Sequence, residues 1–316
     1  MAPRLILLAL ASLAPLAAPA NDVDVPTAPL PLPTTQDNVE EVVVAAPEPR
    51  YVAPTLRDRI GRVWAPVYIN GKGPYKLVLD TGANRTAVIP SLAKKIGTPP
   101  GTNVLKVLGA TGSSVVPAIK VNSIEVGDLF LGDRQVAIVP DVFGGAEGVL
   151  GADGLSDKRV HIDFKKDEIS ILRSTGPVRA NGYTKIPVKL RYGHLLMFDV
   201  KLAGVRTRAM LDTGAQSTIG NRTLREALSK RRKGVENTII GVTLDAQKGE
   251  TVLAPAVELG DLTLRGMQVT FGDMYIFDAW KMTDQPALLI GMDIIGLLDV
   301  LIIDYKRREL HLRARG

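Results

Sequence analysis

Short apolar runs separated by Gly, Pro, Asn and Asp recur from residue 63 to the end of the chain, a pattern of strands more than of helices. Val63 to Asn70 reads as the first of them. Pro66 cannot donate to a ladder, which puts this strand at an edge or makes Pro66 its start. Gly71 to Pro74 predicts a turn and Tyr75 to Leu79 a returning strand, so that a hairpin delivers the chain into Asp80-Thr81-Gly82-Ala83. A short strand follows over Thr86 to Ile89, and Pro90-Ser91 opens a short helix that stops before Gly97. A second helix is predicted after Asn221, a suitable N-cap, with Leu224, Ala227 and Leu228 on one face. The basic cluster Lys230 to Lys233 stands at its end, where the helix dipole favours cations.

The pattern repeats. The stretch Leu77-Val78-Leu79-Asp80-Thr81-Gly82-Ala83 returns as Ala209-Met210-Leu211-Asp212-Thr213-Gly214-Ala215, an offset of 132. Gly109 matches Gly241 at the same offset, each 29 residues after its aspartate. Gly148 to Asp153 resembles Leu288 to Asp293, Gly151 matching Gly291 at 140, and Asp163 matches Asp304 at 141. Four landmarks in one order indicate a duplicated lobe. The extra residues fall late in the second copy, around Tyr275-Ile276-Phe277-Asp278-Ala279-Trp280. Those aromatics suit a substrate subsite as well as a core or lobe–lobe contact.

Composition narrows the chemistry. The 316 residues include 30 Gly and 21 Pro, which favours a turn-rich β fold, and no Cys, which removes disulfides, thiolate nucleophiles and Cys-ligated metals. The three histidines, His161, His194 and His311, are not at metal-ligand spacing, and no metal or cofactor is expected. Arg4, the apolar run Leu5 to Ala14 and Ala18-Pro19-Ala20 form a signal peptide over residues 1–20, with an uncleaved anchor as the alternative. This predicts export, to a periplasm or the outside. Residues 21–55 read as a disordered Pro-rich acidic linker, with an inhibitory propeptide as the sharper alternative. Residues 56–177 and 178–316 read as the two lobes. The net charge is +6 although residues 21–50 hold six acids and one base, so the body is basic. That suits an acidic or membrane-surface partner or simply a soluble basic protein, and nothing points to nucleic acid.

A lone Asp-Thr-Gly arises by chance in about one chain in twenty of this size. Two copies with matched flanks are a different matter. Two carboxyl groups a few ångströms apart hold one proton between them, so one can accept a proton from water while the other polarises a carbonyl. The glycine permits close approach of two backbones, and the threonine hydroxyl can lock each loop to the opposite lobe.

On these residues the chain resembles the retropepsin-like (clan AA) aspartic proteases. Asp80-Thr81-Gly82-Ala83 and Asp212-Thr213-Gly214-Ala215 match the family's site loops. Val149-Leu150-Gly151 and Leu289-Ile290-Gly291 match its hydrophobic-hydrophobic-Gly element, over about residues 60–315. The resemblance implies a mostly β fold of two homologous retropepsin/pepsin-like barrel lobes with a cleft between them, fused in one polypeptide. It implies Asp80 and Asp212 as the catalytic pair, and Thr81, Gly82, Thr213 and Gly214 as their support. It implies Gly109, Ala110, Gly241 and Val242 as tips of two flaps that bind substrate, with a symmetric viral-type flap pair as the better analogy. The expected activity is endopeptidase action on a protein or peptide, with an envelope or membrane protein among the candidate substrates; the rival is a catalytically silent peptide receptor. Alanine after each glycine withholds a hydroxyl from the aspartates, which predicts raised pKa values and an optimum at weakly acidic to near-neutral pH. The strands Glu168 to Leu172 and Glu309 to Leu312 are expected to pair at the lobe interface.

Overall fold

The computed structural model describes residues 41–43, 63–98, 103–179, 181–228 and 234–315. The expected signal peptide and the basic cluster Lys230 to Lys233 lie outside them, as does most of the expected linker. Within that linker, Glu41–Val43 forms a strand paired in parallel with Val104–Leu108, where an open strand edge offers unpaired backbone groups.

The described residues fold into three sheets. One of ten strands spans residues 41–150, and one of eight spans residues 189–290. Each has the same centre. In the first, Lys72–Leu79 pairs in parallel with Gly148–Leu150, which pairs antiparallel with Ala87–Val88. In the second, Val205–Leu211 pairs in parallel with Ala287–Ile290, which pairs antiparallel with Ile219–Gly220. Where these central strands approach the aspartates they are apolar and buried on both faces: Leu77, Val78, Leu79, Val149, Leu150, Met210, Leu288 and Leu289 are all within 1% of full burial. They therefore read as continuous hydrophobic runs, and each aspartate begins where such a run ends.

The predicted helices form at Pro90–Ile96, closed by Gly97 at φ 80°, and at Arg222–Ala227, where the Asn221 side chain accepts from Leu224 N–H at 2.9 Å. The first hairpin differs from expectation. Its turn is Asn70-Gly71, at φ 52° and 71°, and the strand resumes at Lys72. Asn-Gly meets the two left-handed positions of a tight hairpin turn, so Gly73 and Pro74 fall inside the returning strand.

The third sheet joins the halves, in the order Glu168–Arg173, Lys158–Asp163, Leu298–Asp304, Glu309–Ala314, Thr184–Pro187. The expected pairing of the two final strands is corrected here: Glu168–Arg173 is an outer strand, and the cross-lobe pair is Lys158–Asp163 with Leu298–Asp304, His161 opposite Ile302. Burial gives the reason. Leu298–Asp304 is buried at every position and needs a neighbour on each side, whereas Glu168–Arg173 is mostly exposed. Arg159 ties the pair together, its Nε and Nη2 donating to Asp304 Oδ2 at 2.9 and 2.7 Å.

Candidate active site

Asp80 and Asp212 leave the two central strands in the same way. Asp80 N–H donates to the Leu150 carbonyl at 2.9 Å, and Asp212 N–H to the Ile290 carbonyl at 3.0 Å. Each loop then folds back on its own carboxyl group. Gly82 and Ala83 N–H donate to Asp80 Oδ1, both at 2.9 Å; Gly214 and Ala215 N–H donate to Asp212 Oδ1 at 2.9 and 3.0 Å. Side chains of ordinary size would keep the loops apart. A Cβ built at Gly214 falls on the Asp80 carboxyl group, so that glycine is what lets the second loop lie against the first aspartate.

The threonines cross over. Thr81 Oγ1 donates to the Leu211 carbonyl at 2.7 Å and accepts from Thr213 N–H at 3.1 Å. Thr213 Oγ1 donates to the Leu79 carbonyl at 2.6 Å and accepts from Thr81 N–H at 3.2 Å. Four buried hydrogen bonds thus hold the loops reciprocally. Asp80, Thr81, Asp212 and Thr213 are all fully buried. Burial, then the charge of Asp80 and a hydrogen bond with it, pushes the Asp212 carboxyl well above the ordinary carboxylate range. The Ala215 and Gly214 amides pull the other way.

An aspartyl protease family model matches residues 65–153 and again residues 198–294, one match on each of these loops and its sheet. The chain belongs to the aspartyl protease family. No curated protein matches it. Membership makes the chain, in general class, a peptidase with protein or peptide substrates, on a mostly β fold of two similar lobes.

The aspartyl protease braces each loop with a threonine–aspartate pair, of which only the aspartates, Asp153 and Asp293, stand among the landmarks of the repeat. Thr86 Oγ1 donates to Asp153 Oδ1 at 3.1 Å, and Thr218 Oγ1 to Asp293 Oδ1 at 2.7 Å. Gly151 and Gly291 N–H donate to the same hydroxyls at 3.3 and 3.1 Å. Burial raises both carboxyl groups, and Arg134, at 2.7 Å from Asp153, opposes this in the first lobe. The signal for these residues was present: Thr86 and Thr218 share the 132 offset of the aspartates.

The residues expected to form the flaps come together at the tips of two hairpins. The hairpin of Val104–Leu108 and Ser113–Val121 meets that of Val235–Ile240 and Ala246–Leu259. Gly241 N–H donates to Thr111 Oγ1 at 3.0 Å, and a Cβ at Gly109 would lie 3.0 Å from Val242 Cγ1. Gly109, Ala110, Gly241 and Val242 are all buried. The pair is not symmetric. Ile276 N–H donates to the Ala110 carbonyl at 3.2 Å, and Leu108 lies in one buried cluster with Ile276, Phe277, Trp280 and Met282. The inserted helix Tyr275–Ala279 therefore touches both hairpins, the first across the lobe boundary and the second within its own lobe, where Tyr275 N–H donates to Gln247 Oε1 at 3.1 Å. Phe277 and Trp280 are buried there and Tyr275 is half-buried, so they pack as a lobe–lobe contact, and the first lobe has no counterpart of this insertion.

Proposed function

We propose that the protein is an aspartic endopeptidase in which Asp80 and Asp212 share one proton and activate a water. The observation that carries this is the reciprocal pairing of two fully buried Asp-Thr-Gly loops, with the Asp212 carboxyl biased toward its protonated form by burial and by Asp80. The protonated Asp212 donates to the carbonyl oxygen of the scissile peptide while the Asp80 carboxylate takes a proton from water, whose oxygen attacks the carbonyl carbon. Collapse of the tetrahedral adduct breaks the C–N bond, and a proton passes to the leaving nitrogen. One water is consumed, and a carboxylic acid and an amine are released. No metal or cofactor takes part.

The substrate is an extended segment lying between the lobes of residues 56–177 and 178–316. It adds as a strand beside the flap hairpins, with Gly109, Ala110, Gly241 and Val242 against its backbone. Because the tips touch and both aspartates are buried, the hairpins part before a peptide enters. The raised Asp212 carboxyl supports an optimum at weakly acidic to near-neutral pH. Export through the signal over residues 1–20 places the enzyme in a periplasm or outside the cell, where an envelope or membrane protein is a fitting substrate. The test is cleavage of denatured casein and of a peptide library by the wild type, Asp80→Asn and Asp212→Asn. Cleavage by the wild type, lost in both variants, is expected. Activity surviving either substitution refutes the shared pair, and tight peptide binding without cleavage by any of the three identifies a peptide receptor instead.

A further inference from the structure

His194 reaches across the lobe interface to the first Asp-Thr-Gly loop, and the reaction above makes no use of it. It closes a tight turn between Lys189–Arg191 and Leu195–Leu202, with Tyr192 and Gly193 at φ 50° and 77° and His194 N–H donating to the Arg191 carbonyl at 3.2 Å. The turn sends Tyr192 outward, 54% exposed, and His194 inward, 5% exposed. His194 Nδ1 lies 2.9 Å from the Tyr192 carbonyl. A carbonyl only accepts, so Nδ1 carries the proton, and in the neutral ring Nε2 holds a lone pair. That Nε2 is buried and lacks a well-formed hydrogen bond, and the main-chain carbonyl of Gly82 stands next to it. Two acceptors face each other with no proton between them. Burial holds the imidazole pKa down while the two carbonyls pull it up.

The Gly82 carbonyl is one end of a peptide unit whose other end is Ala83 N–H, the donor to Asp80 Oδ1 at 2.9 Å. His194 and Asp80 therefore occupy the two ends of one amide. A proton on Nε2 bonds the carbonyl, polarises the amide and strengthens the hydrogen bond to Asp80, which favours the carboxylate. His161 and His311 both lie in the sheet joining the halves, so a histidine serves only one aspartate of the pair. Resting on the reading of Asp80 and Asp212 as the reacting pair, we propose that His194 is a positioning residue: it clamps the Gly82–Ala83 peptide from the opposite lobe and directs the shared proton to Asp212.

The charged and titratable groups around this clamp are few. Arg191, on the same turn, holds its guanidinium over the Tyr192 ring at 5.2 Å. Arg85 follows on the first loop, Asp80 and Asp212 lie beyond the amide, and among the described residues no carboxylate forms an ion pair with His194.

Two measurements test the proposal. With only three histidines, ring-¹⁵N-labelled protein gives three sets of resonances, and His194→Gln identifies one by its loss. That set is expected to show the Nδ1–H tautomer, and its titration to move to lower pH in Asp80→Asn. An Nε2–H tautomer, or a titration unmoved by Asp80→Asn, overturns the clamp. In casein cleavage, His194→Phe is expected to lower kcat on the order of tenfold, about one hydrogen bond, with KM within twofold. It also removes one ionisation from the kcat profile. His194→Gln, whose amide can donate to Gly82 at any pH, restores most of kcat without restoring that ionisation. Superimposable profiles for folded wild type and His194→Phe overturn the proposal. A wild type that cleaves nothing counts against the protease reading alone, and the resonance titration then decides the clamp by itself.

Discussion

Removing the Thr81 hydroxyl tests how firmly the two halves are joined at their centre. Thr81→Val keeps the shape of the side chain and deletes its polar atom, leaving the Leu211 carbonyl and Thr213 N–H each short of one partner in a fully buried place. Each such group costs about 1–3 kcal/mol, so a loss of about 2–6 kcal/mol is expected, a large part of a typical stability of about 5–15 kcal/mol. Thr81→Ser keeps both hydrogen bonds and loses a methyl group, which should cost about 1 kcal/mol. Thr213→Val should match Thr81→Val, since its two partners, the Leu79 carbonyl and Thr81 N–H, are arranged alike. No hydroxyl is common to the two sets, so pairwise loss predicts that the double variant shows the sum. A smaller combined loss would mean that the first substitution already frees the loops. Urea unfolding followed by fluorescence is the assay, because the only two tryptophans, Trp64 and Trp280, fall one in each half. Trp64→Phe and Trp280→Phe then report the halves separately. If Thr81→Val lies within about 0.5 kcal/mol of wild type, or Thr81→Ser costs as much as Thr81→Val, the hydroxyls do not hold the loops together.

Three further outcomes follow from the same geometry. Asp212 is protonated in the folded state over a range where the unfolded chain, with its carboxyl near pH 4, has lost the proton. Wild-type stability therefore falls as pH rises through that range, and Asp212→Asn should gain on it progressively above about pH 4. A difference in melting temperature that does not change with pH contradicts this. Asp304→Asn leaves Arg159 without its carboxylate, and because Arg159 keeps 22% exposure the cost should sit near the low end for a buried pair, about 3 kcal/mol in urea unfolding. Thr111→Cys with Gly241→Cys would put two Cβ atoms about 3.3 Å apart at the flap tips, close to disulfide spacing, in a chain with no other cysteine. The oxidised form should cleave no casein and recover on reduction; undiminished activity while cross-linked would show that the tips need not part.

The sequence by itself determined the duplication, the two Asp-Thr-Gly loops and the strands that feed them, because these depend on local runs: an apolar strand buried on both faces, an acid at its end, a glycine where backbones must close up. The helices at Pro90 and Asn221 were legible for the same reason, proline at a first turn and a side-chain cap being short-range chemistry. The first turn was misplaced because Gly73-Pro74 is the louder signal while Asn70-Gly71 has the backbone geometry. What only the tertiary structure decided is which residues more than a hundred positions apart meet where the repeat does not relate them. It paired Lys158–Asp163 with Leu298–Asp304, since a strand buried along its whole length must be covered on both sides. It packed the inserted segment against both flap hairpins, one of them across the lobes, which breaks a symmetry that the repeat suggested. It also set His194 against Gly82, a contact between a turn in one copy and a loop in the other for which no periodicity or spacing gives a sign.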